Sequence, residues 1–283
     1  MAIVMKGIEV AKAMKENLIK DVNLLKEQGV VPNLTIIRVG ARPDDLAYER
    51  GALKRMELTS IDCRVVELSE DISQKEFEKE FEKVNNDPMV HGILLFRPLP
   101  KHLNEEPIKK MINPLKDVDC MSDVNIAKVF AGDKSGFAPC TAEAVVEMLK
   151  HFGIELTGKN VTIVGRSMVV GKPLAMLLLG ENSTVTVCHT RTKDLAGECK
   201  KADILVAAAG KASVITADMV SEGTVVADVG INVNEEGQLC GDVDYEAVAE
   251  KAAMISPVPG GVGSITTSIL AKHVIRSAKY LNK

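Results

Sequence analysis

The 283-residue chain contains no tryptophan, and aromatic residues make up only 3% of it. That excludes the stacking platforms on which single-stranded nucleic acids lie. A cationic footprint is missing too. The net charge is −4, with Lys/Arg and Asp/Glu scattered along the chain, unlike the clustered basic face of a nucleic-acid binder. No apolar run approaches the roughly 18 residues that a membrane span needs. The opening "MAIVMKGIEV" lacks the apolar core of a secretory leader. Six cysteines (Cys63, Cys120, Cys140, Cys188, Cys199 and Cys240) are spread without a C-x-x-C pair. They read as reduced, mostly buried thiols of a cytosolic protein, and no metal site is expected.

What is present is an alternation of helix and strand. Hydrophobic residues at 46% are ample for a sizeable core, and the length suits two modest domains. Residues 7–29 have helical apolar spacing and stop at Gly29. "LTIIRVG" (34–40) reads as a buried strand, "DDLAYERGALKRMEL" as a helix weakened by Gly51, and "CRVVEL" as a strand. Ser73 and Glu76 form a capping box before a charged amphipathic helix, and "GILLF" (92–96) is a further strand. Helix 142–153 leads to a second run: strands at 161–165, 184–188, 203–210, 224–230 and 254–261, a helix at 172–180, and a closing amphipathic helix. The expectation is a two-domain α/β protein. An N-terminal parallel-sheet substrate domain (1–140 plus 264–283) is joined to a Rossmann-like dinucleotide-binding domain (141–263), with a cleft between them and helices 142–153 and 264–281 as connectors.

"VTIVGRSMVVGKP" carries the clearest chemistry. A buried strand ends at Gly165, and a helix starts after Gly171, with Pro173 in its first turn. Glycines let backbone approach a ligand, and the free N–H groups of a helix start attract phosphate. The spacing is G-x-x-x-x-x-G rather than G-x-G-x-x-G, so an ordinary βα turn is the plain alternative. The next strand ends in "CHTRT". An NAD site usually places an acid there for the ribose 2′-hydroxyl. This chain has Thr190 and Arg191 instead, with Arg166 and Ser167 in the first loop. Guanidinium grips phosphate bidentately, so NADP is expected over NAD.

Several stretches together resemble one family, the bifunctional methylenetetrahydrofolate dehydrogenase/methenyltetrahydrofolate cyclohydrolases. They are "RVGARPDDLAYERG", "GILLFRPLPKHL", "PLKDVDCMSDVN", "GFAPCTAEAVVEML", "VTIVGRSMVVGKPLAMLL", "ADVGIN", "GDVDYEAV" and "SPVPGGVGSITTSIL", in the family's order and over nearly the whole chain. The resemblance implies a folate site, a nicotinamide cofactor and a homodimer. It places Tyr48 where a tyrosine stacks on folate, and Asp119 where a carboxylate holds the pterin. One carboxylate can accept both hydrogens of the pterin's 2-amino/N3 edge. Phe96 and Arg97 fall on the substrate-binding strand end, and Pro259, Gly260 and Gly263 fall in a loop that closes over the ligands. Gly165, Arg166, Ser167, Gly171, His189, Thr190, Arg191, Gly210, Ile231 and Thr266 fall on cofactor-binding positions.

The family pattern sets a catalytic lysine four residues after the tyrosine, one helical turn on. Here that position is Ala52. Lys54 is the nearest amine and the candidate acid/base, yet it lies about 240° around the helix from Tyr48. It reaches the site only where the helix breaks at Gly51. Phe96 stands where the family has a glutamine bonded to that lysine, and Cys120 where it has glycine. Hydride transfer from 5,10-methylenetetrahydrofolate to NADP needs orientation above all. Hydrolysis of 5,10-methenyltetrahydrofolate gains from a positioned acid/base. The expected activity is therefore the dehydrogenase, with the cyclohydrolase lost, weakened or rebuilt. A different NADP oxidoreductase and a folate- or NADP-binding sensor are the rival readings, and NADPH formation dependent on methylenetetrahydrofolate separates the three.

Overall fold

The computed structural model describes residues 2–282. The chain divides into two compact units, residues 13–140 with 267–283, and residues 1–12 with 141–266. Its opening elements are β1 (Ile3–Val4) and α1 (Gly7–Glu27), and the boundary falls within α1. Among the described residues no helix is long and apolar enough to cross a membrane.

The unit 13–140/267–283 is built on a three-stranded parallel sheet. Its strands are β2 (Asn33–Val39), β3 (Asp62–Leu68) and β4 (Gly92–Leu95), in the order β3-β2-β4. Helices α2 (Pro43–Leu58) and α3 (Gln74–Asn86) alternate with them. As the central strand, β2 is buried from Leu34 to Val39, which is why it reads as an unbroken apolar run. Pro43 sits in the first turn of α2 beside Asp44 and Asp45, residues suited to a helix start. Gly51 does not interrupt α2. It lies on the exposed face while Ala52 and Met56 are fully buried on the other. That burial outweighs a propensity cost of about 1 kcal/mol. The capping box at α3 forms as expected, and Phe77 and Phe81 pack edge-on in the core with Ile37, Ile93 and Leu95. Two short helices follow, α4 (Glu106–Met111) and α5 (Asp123–Ala131), the latter capped by Ser122 and closed by Gly132 at φ 69°.

At the change of unit, α6 (Cys140–His151) leads to β5 (Asn160–Val164), α7 (Gly171–Gly180), β6 (Thr184–Cys188), α8 (Leu195–Lys200), β7 (Ile204–Ala207) and β8 (Val225–Asp228). A hairpin of β9 (Asn232–Val233) and β10 (Leu239–Cys240), then α9 (Tyr245–Ala249) and β11 (Met254–Ile255), precede the closing helix α10 (Thr266–Leu281). Six strands pair in parallel in the order β1-β11-β8-β7-β5-β6. The expected domain limits put the first residues with the substrate domain. Pairing of Ile3 with Met254 and Val4 with Ile255 instead puts residues 1–12 in the six-stranded unit.

Candidate functional site

In the six-stranded unit β6 lies on one side of β5 and β7 on the other. The chain leaves β5 in opposite directions, and open α/β sheets bind ligands at the carboxyl ends of the strands at such a reversal. The loops there are tightly fitted. Gly165 has φ 134°, and a Cβ on it would lie 2.0 Å from the Ala208 carbonyl oxygen. A Cβ on Gly171 would lie 2.0 Å from the Gly165 carbonyl oxygen. Backbone thus approaches backbone where only hydrogen fits. Ser167 Oγ accepts the Val170 N–H at 3.1 Å and shapes the turn into α7. Arg166 and Ser167 are exposed, as are Thr190 and Arg191 beyond β6. His189 folds into its own loop: its N–H donates to Thr192 Oγ1 at 2.9 Å, and its Nδ1 accepts the Arg191 N–H at 3.0 Å. A neutral ring therefore carries its proton on Nε2. This glycine-built turn with a basic, acid-free end of β6 fits a dinucleotide with a 2′-phosphate.

The expected strand 203–210 ends early, at Ala207, because the next backbone groups go elsewhere. Asp242, fully buried, accepts the N–H groups of Ala209, Gly210 (2.9 Å) and Lys211 (2.9 Å). Gly210 has φ 65°. The expected strand 224–230 stops at Asp228 for a related reason. Asp228 accepts the N–H groups of Gly230 (2.9 Å), Asp242 (3.0 Å) and Val243 (3.0 Å). Burial pushes its carboxyl up to about 6, against the pull of those three donors. Ile231, beside this network, is 71% exposed. Sequence reasoning missed both aspartates as organisers; acids inside the apolar contexts "VVADVG" and "CGDVDY" were the available signal. The strand expected over 254–261 covers only Met254–Ile255, since Pro257 and Pro259 have no N–H to donate. In the loop beyond, Pro259 and Gly260 (φ 101°) are exposed, and the Gly260 carbonyl accepts the Gly7 N–H at 2.8 Å. Gly263 is open on its Cβ side, and Thr266 spends its hydroxyl proton on the Gly263 carbonyl.

In the other unit Tyr48, half-buried on α2, lies with its ring centroid 5.7 Å from that of Phe96, tilted by 55°. Ala52, one turn on, is fully buried, and Phe96 is 7% exposed. Lys54, the candidate acid/base, falls where an unbroken helix puts it. Because α2 is continuous through Gly51, Lys54 stays on the exposed side and does not join Tyr48. Arg55, half-buried, donates from Nε to Thr267 Oγ1 at 3.4 Å, and burial lowers its pKa.

"KDVDC" holds two acids with separate fates. Asp117 is buried and committed: it accepts the N–H groups of Met121 and Ser122, the Ser122 hydroxyl and an Asn125 amide proton at the start of α5. Asp119 accepts the Cys140 N–H at 2.9 Å, at the start of α6. Burial pushes its carboxyl up, opposed by that N–H and by the charge of Arg97. A ligand presenting paired donors would return the solvation that burial removes. Cys120, directly after Asp119, has φ 58°, a conformation that glycine adopts without strain.

Residues 5–119 match the family described as tetrahydrofolate dehydrogenase/cyclohydrolase, catalytic domain, and residues 139–282 match its NAD(P)-binding domain. The chain is 59% identical over 279 residues to the bifunctional protein FolD of Clostridioides difficile, covering 99% of this chain and 97% of that protein. It is 54% identical over 283 residues to that of Clostridium kluyveri, covering 100% of both. Among solved structures it is similar to the bifunctional FolD methylenetetrahydrofolate dehydrogenase/cyclohydrolase of Campylobacter jejuni (TM-score 0.96, 39% identity, 99% of each chain). It is also similar to the Trypanosoma brucei methylenetetrahydrofolate dehydrogenase-cyclohydrolase complexed with NADP cofactor and an inhibitor (TM-score 0.93, 35% identity, 99% of this chain and 98% of that one).

Proposed function

The chain belongs to the tetrahydrofolate dehydrogenase/cyclohydrolase family, and from that premise we propose that it is an NADP-dependent 5,10-methylenetetrahydrofolate dehydrogenase of one-carbon metabolism. The bound dinucleotide supplies the hydride acceptor at C4 of its nicotinamide. The chain's own residues supply position. The backbone of Gly165, Ser167 and Gly171 cradles the phosphates, while Arg166, Thr190 and Arg191 take the 2′-phosphate. His189, Gly210, Ile231 and Thr266 border the rest of the cofactor. Tyr48 stacks on the pterin, and Asp119 accepts the two hydrogens of its 2-amino/N3 edge. Phe96, Arg97, Pro259, Gly260 and Gly263 complete the substrate contacts. Loss of hydride leaves a one-carbon cation that the flanking nitrogen lone pairs stabilise, so orientation rather than a protein base is the main demand. The observation that carries this reading is the glycine cradle at the strand-order reversal, beside an end of β6 that is basic and free of acid. Near-UV absorbance of NADPH, followed with methylenetetrahydrofolate and either NADP or NAD, tests it. No folate-dependent signal, or equal kcat/KM with NAD, would defeat it.

A specific observation favours a second statement, that the cyclohydrolase half is weak. Where the family has its lysine and glutamine, this chain has a buried methyl and a buried phenyl, and Lys54 points away. Losing a positioned acid/base costs about 10²–10⁴-fold. The check is decay of methenyltetrahydrofolate absorbance without nucleotide, and turnover matching the dehydrogenase rate would defeat the statement. We also propose a cytoplasmic homodimer, as the family pattern implies. A single-subunit mass in sedimentation equilibrium would refute the dimer.

A further inference from the structure

Asp242 touches neither the phosphate turn nor the basic end of β6, yet it gathers the loops beyond β7 and β8. Its Oδ2 accepts the N–H groups of Ala209 and Gly210, and its Oδ1 accepts the Lys211 N–H and the Asn232 side-chain amide, the last three at 2.9 Å. The site is made to fit it. A Cβ on Gly230 would lie 2.2 Å from Asp242 Oδ1, and one on Gly241 would lie 1.9 Å from Asp228 Oδ2. Asp228 in turn holds the Asp242 and Val243 backbone N–H groups, so the clamp has two tiers. The residues clamped by Asp242 include Gly210 and flank Ile231, at the carboxyl ends of β7 and β8. In a Rossmann-type sheet the pyrophosphate sits at the first turn and the adenosine ribose at the end of the next strand. Those are β5 and β6 here. The opposite half of the dinucleotide therefore extends over β7 and β8.

We propose that Asp242 is a positioning residue for the nicotinamide half of the cofactor, fixing the loops 209–211 and 230–232 against which that half is oriented. The inference rests on the NADP-dehydrogenase reading. A buried carboxylate satisfied by four donors locks both loops at once, and removing it leaves those donors without an acceptor. Misplacement of a reacting ring by about 1 Å can cost about 10²-fold in rate.

The test compares the full-length protein with Asp242→Ala and Asp242→Asn. Two quantities are measured: kcat/KM for methylenetetrahydrofolate oxidation, and the inhibition constant of adenosine 2′,5′-bisphosphate, which carries the adenosine half alone. The expected result is a fall in kcat/KM of about 10²-fold in Asp242→Ala, partial recovery in Asp242→Asn, and a bisphosphate constant within about twofold of the parent. Equal losses in both measurements, or unchanged oxidation, would overturn the proposal. Should Asp242→Ala not fold, Asp242→Asn decides by the same comparison. A parent protein that binds the bisphosphate but does not oxidise the folate would defeat the functional reading instead.

Discussion

The two units reach their ligand sites by different means. In the six-stranded unit the site is backbone: Gly165 and Gly171 bring main chain within hydrogen-only distance of main chain, and Asp228 and Asp242 fasten the neighbouring loops through N–H groups. In the three-stranded unit the site is side chain. Tyr48, Phe96 and Asp119 are the residues proposed to carry it, and the position of the family pattern's lysine holds the methyl of Ala52. A site of backbone is fixed by sterics and rejects almost any substitution. A site of side chains can lose one chemical function and keep its shape. The dehydrogenase demand, orientation, falls on both kinds of site, whereas the hydrolytic demand, an acid/base, falls on the editable kind alone.

The contrast breaks most sharply at Gly171. In Gly171→Ala the new methyl meets the Gly165 carbonyl at 2.0 Å, and backbone must move. NADP binding should weaken by about 10²-fold or more while tetrahydrofolate binding persists, as titration of each ligand would reveal. An unchanged KM for NADP would mean that the cradle is not built as described. The editable site should respond in the opposite sense. Ala52→Lys with Phe96→Gln restores the amine and its partner together, and hydrolysis of methenyltetrahydrofolate should rise by about 10²–10⁴-fold. The pair is needed because an ammonium alone at a fully buried position lacks a partner. No gain in the folded double variant would show that more than these two side chains separates the site from hydrolysis.

Much of this contrast is legible in the sequence, and unevenly so. Strand 184–188 and the Ser73–Glu76 capping box match the structure residue for residue, because alternation and capping are local signals. Two-residue strands β1 and β9 have no periodicity to read. Strand ends beyond β7 and β8 were overrun, since the apolar pattern continues while Asp242 and Asp228 divert the backbone N–H groups. In the site, helical geometry alone placed Ala52 on the face of Tyr48 and Lys54 off it. The choice of Asp119 rests on resemblance. That the neighbouring acid Asp117 is consumed at the start of α5 is visible only in three dimensions. The partners of Asp242 are hidden for the same reason, as residues 209–211 lie more than 30 residues away.

The fastening of the six-stranded unit also has a pH signature. Asp228 titrates near 6 in the fold against an ordinary 3.8. The folded state then binds more protons than the unfolded state between these values, so this group's contribution is fullest below about 4 and is lost as pH rises through about 6. The loss is about 3 kcal/mol. Urea midpoints at pH 4.5 and pH 7 should differ less in Asp228→Asn than in the parent, and identical differences in the two proteins would remove Asp228 from the account.

Gly51 gives the smallest and cleanest contrast with Gly171. Both are glycines at helical positions, yet a Cβ on Gly51 meets nothing within 4 Å, and its φ is not in the left-handed region. Gly51→Ala should therefore stabilise α2 by about 1 kcal/mol, seen as a Tm rise of a few degrees, roughly 2–4 °C for a domain of this size. Activity should hold, because the continuous helix already presents Tyr48 with Gly51 intact. A fall in Tm, or a dehydrogenase rate that drops as the helix stiffens, would mean that α2 flexes at Gly51 during turnover. Lys54 would then have a route to the face of Tyr48 that the continuous helix does not offer.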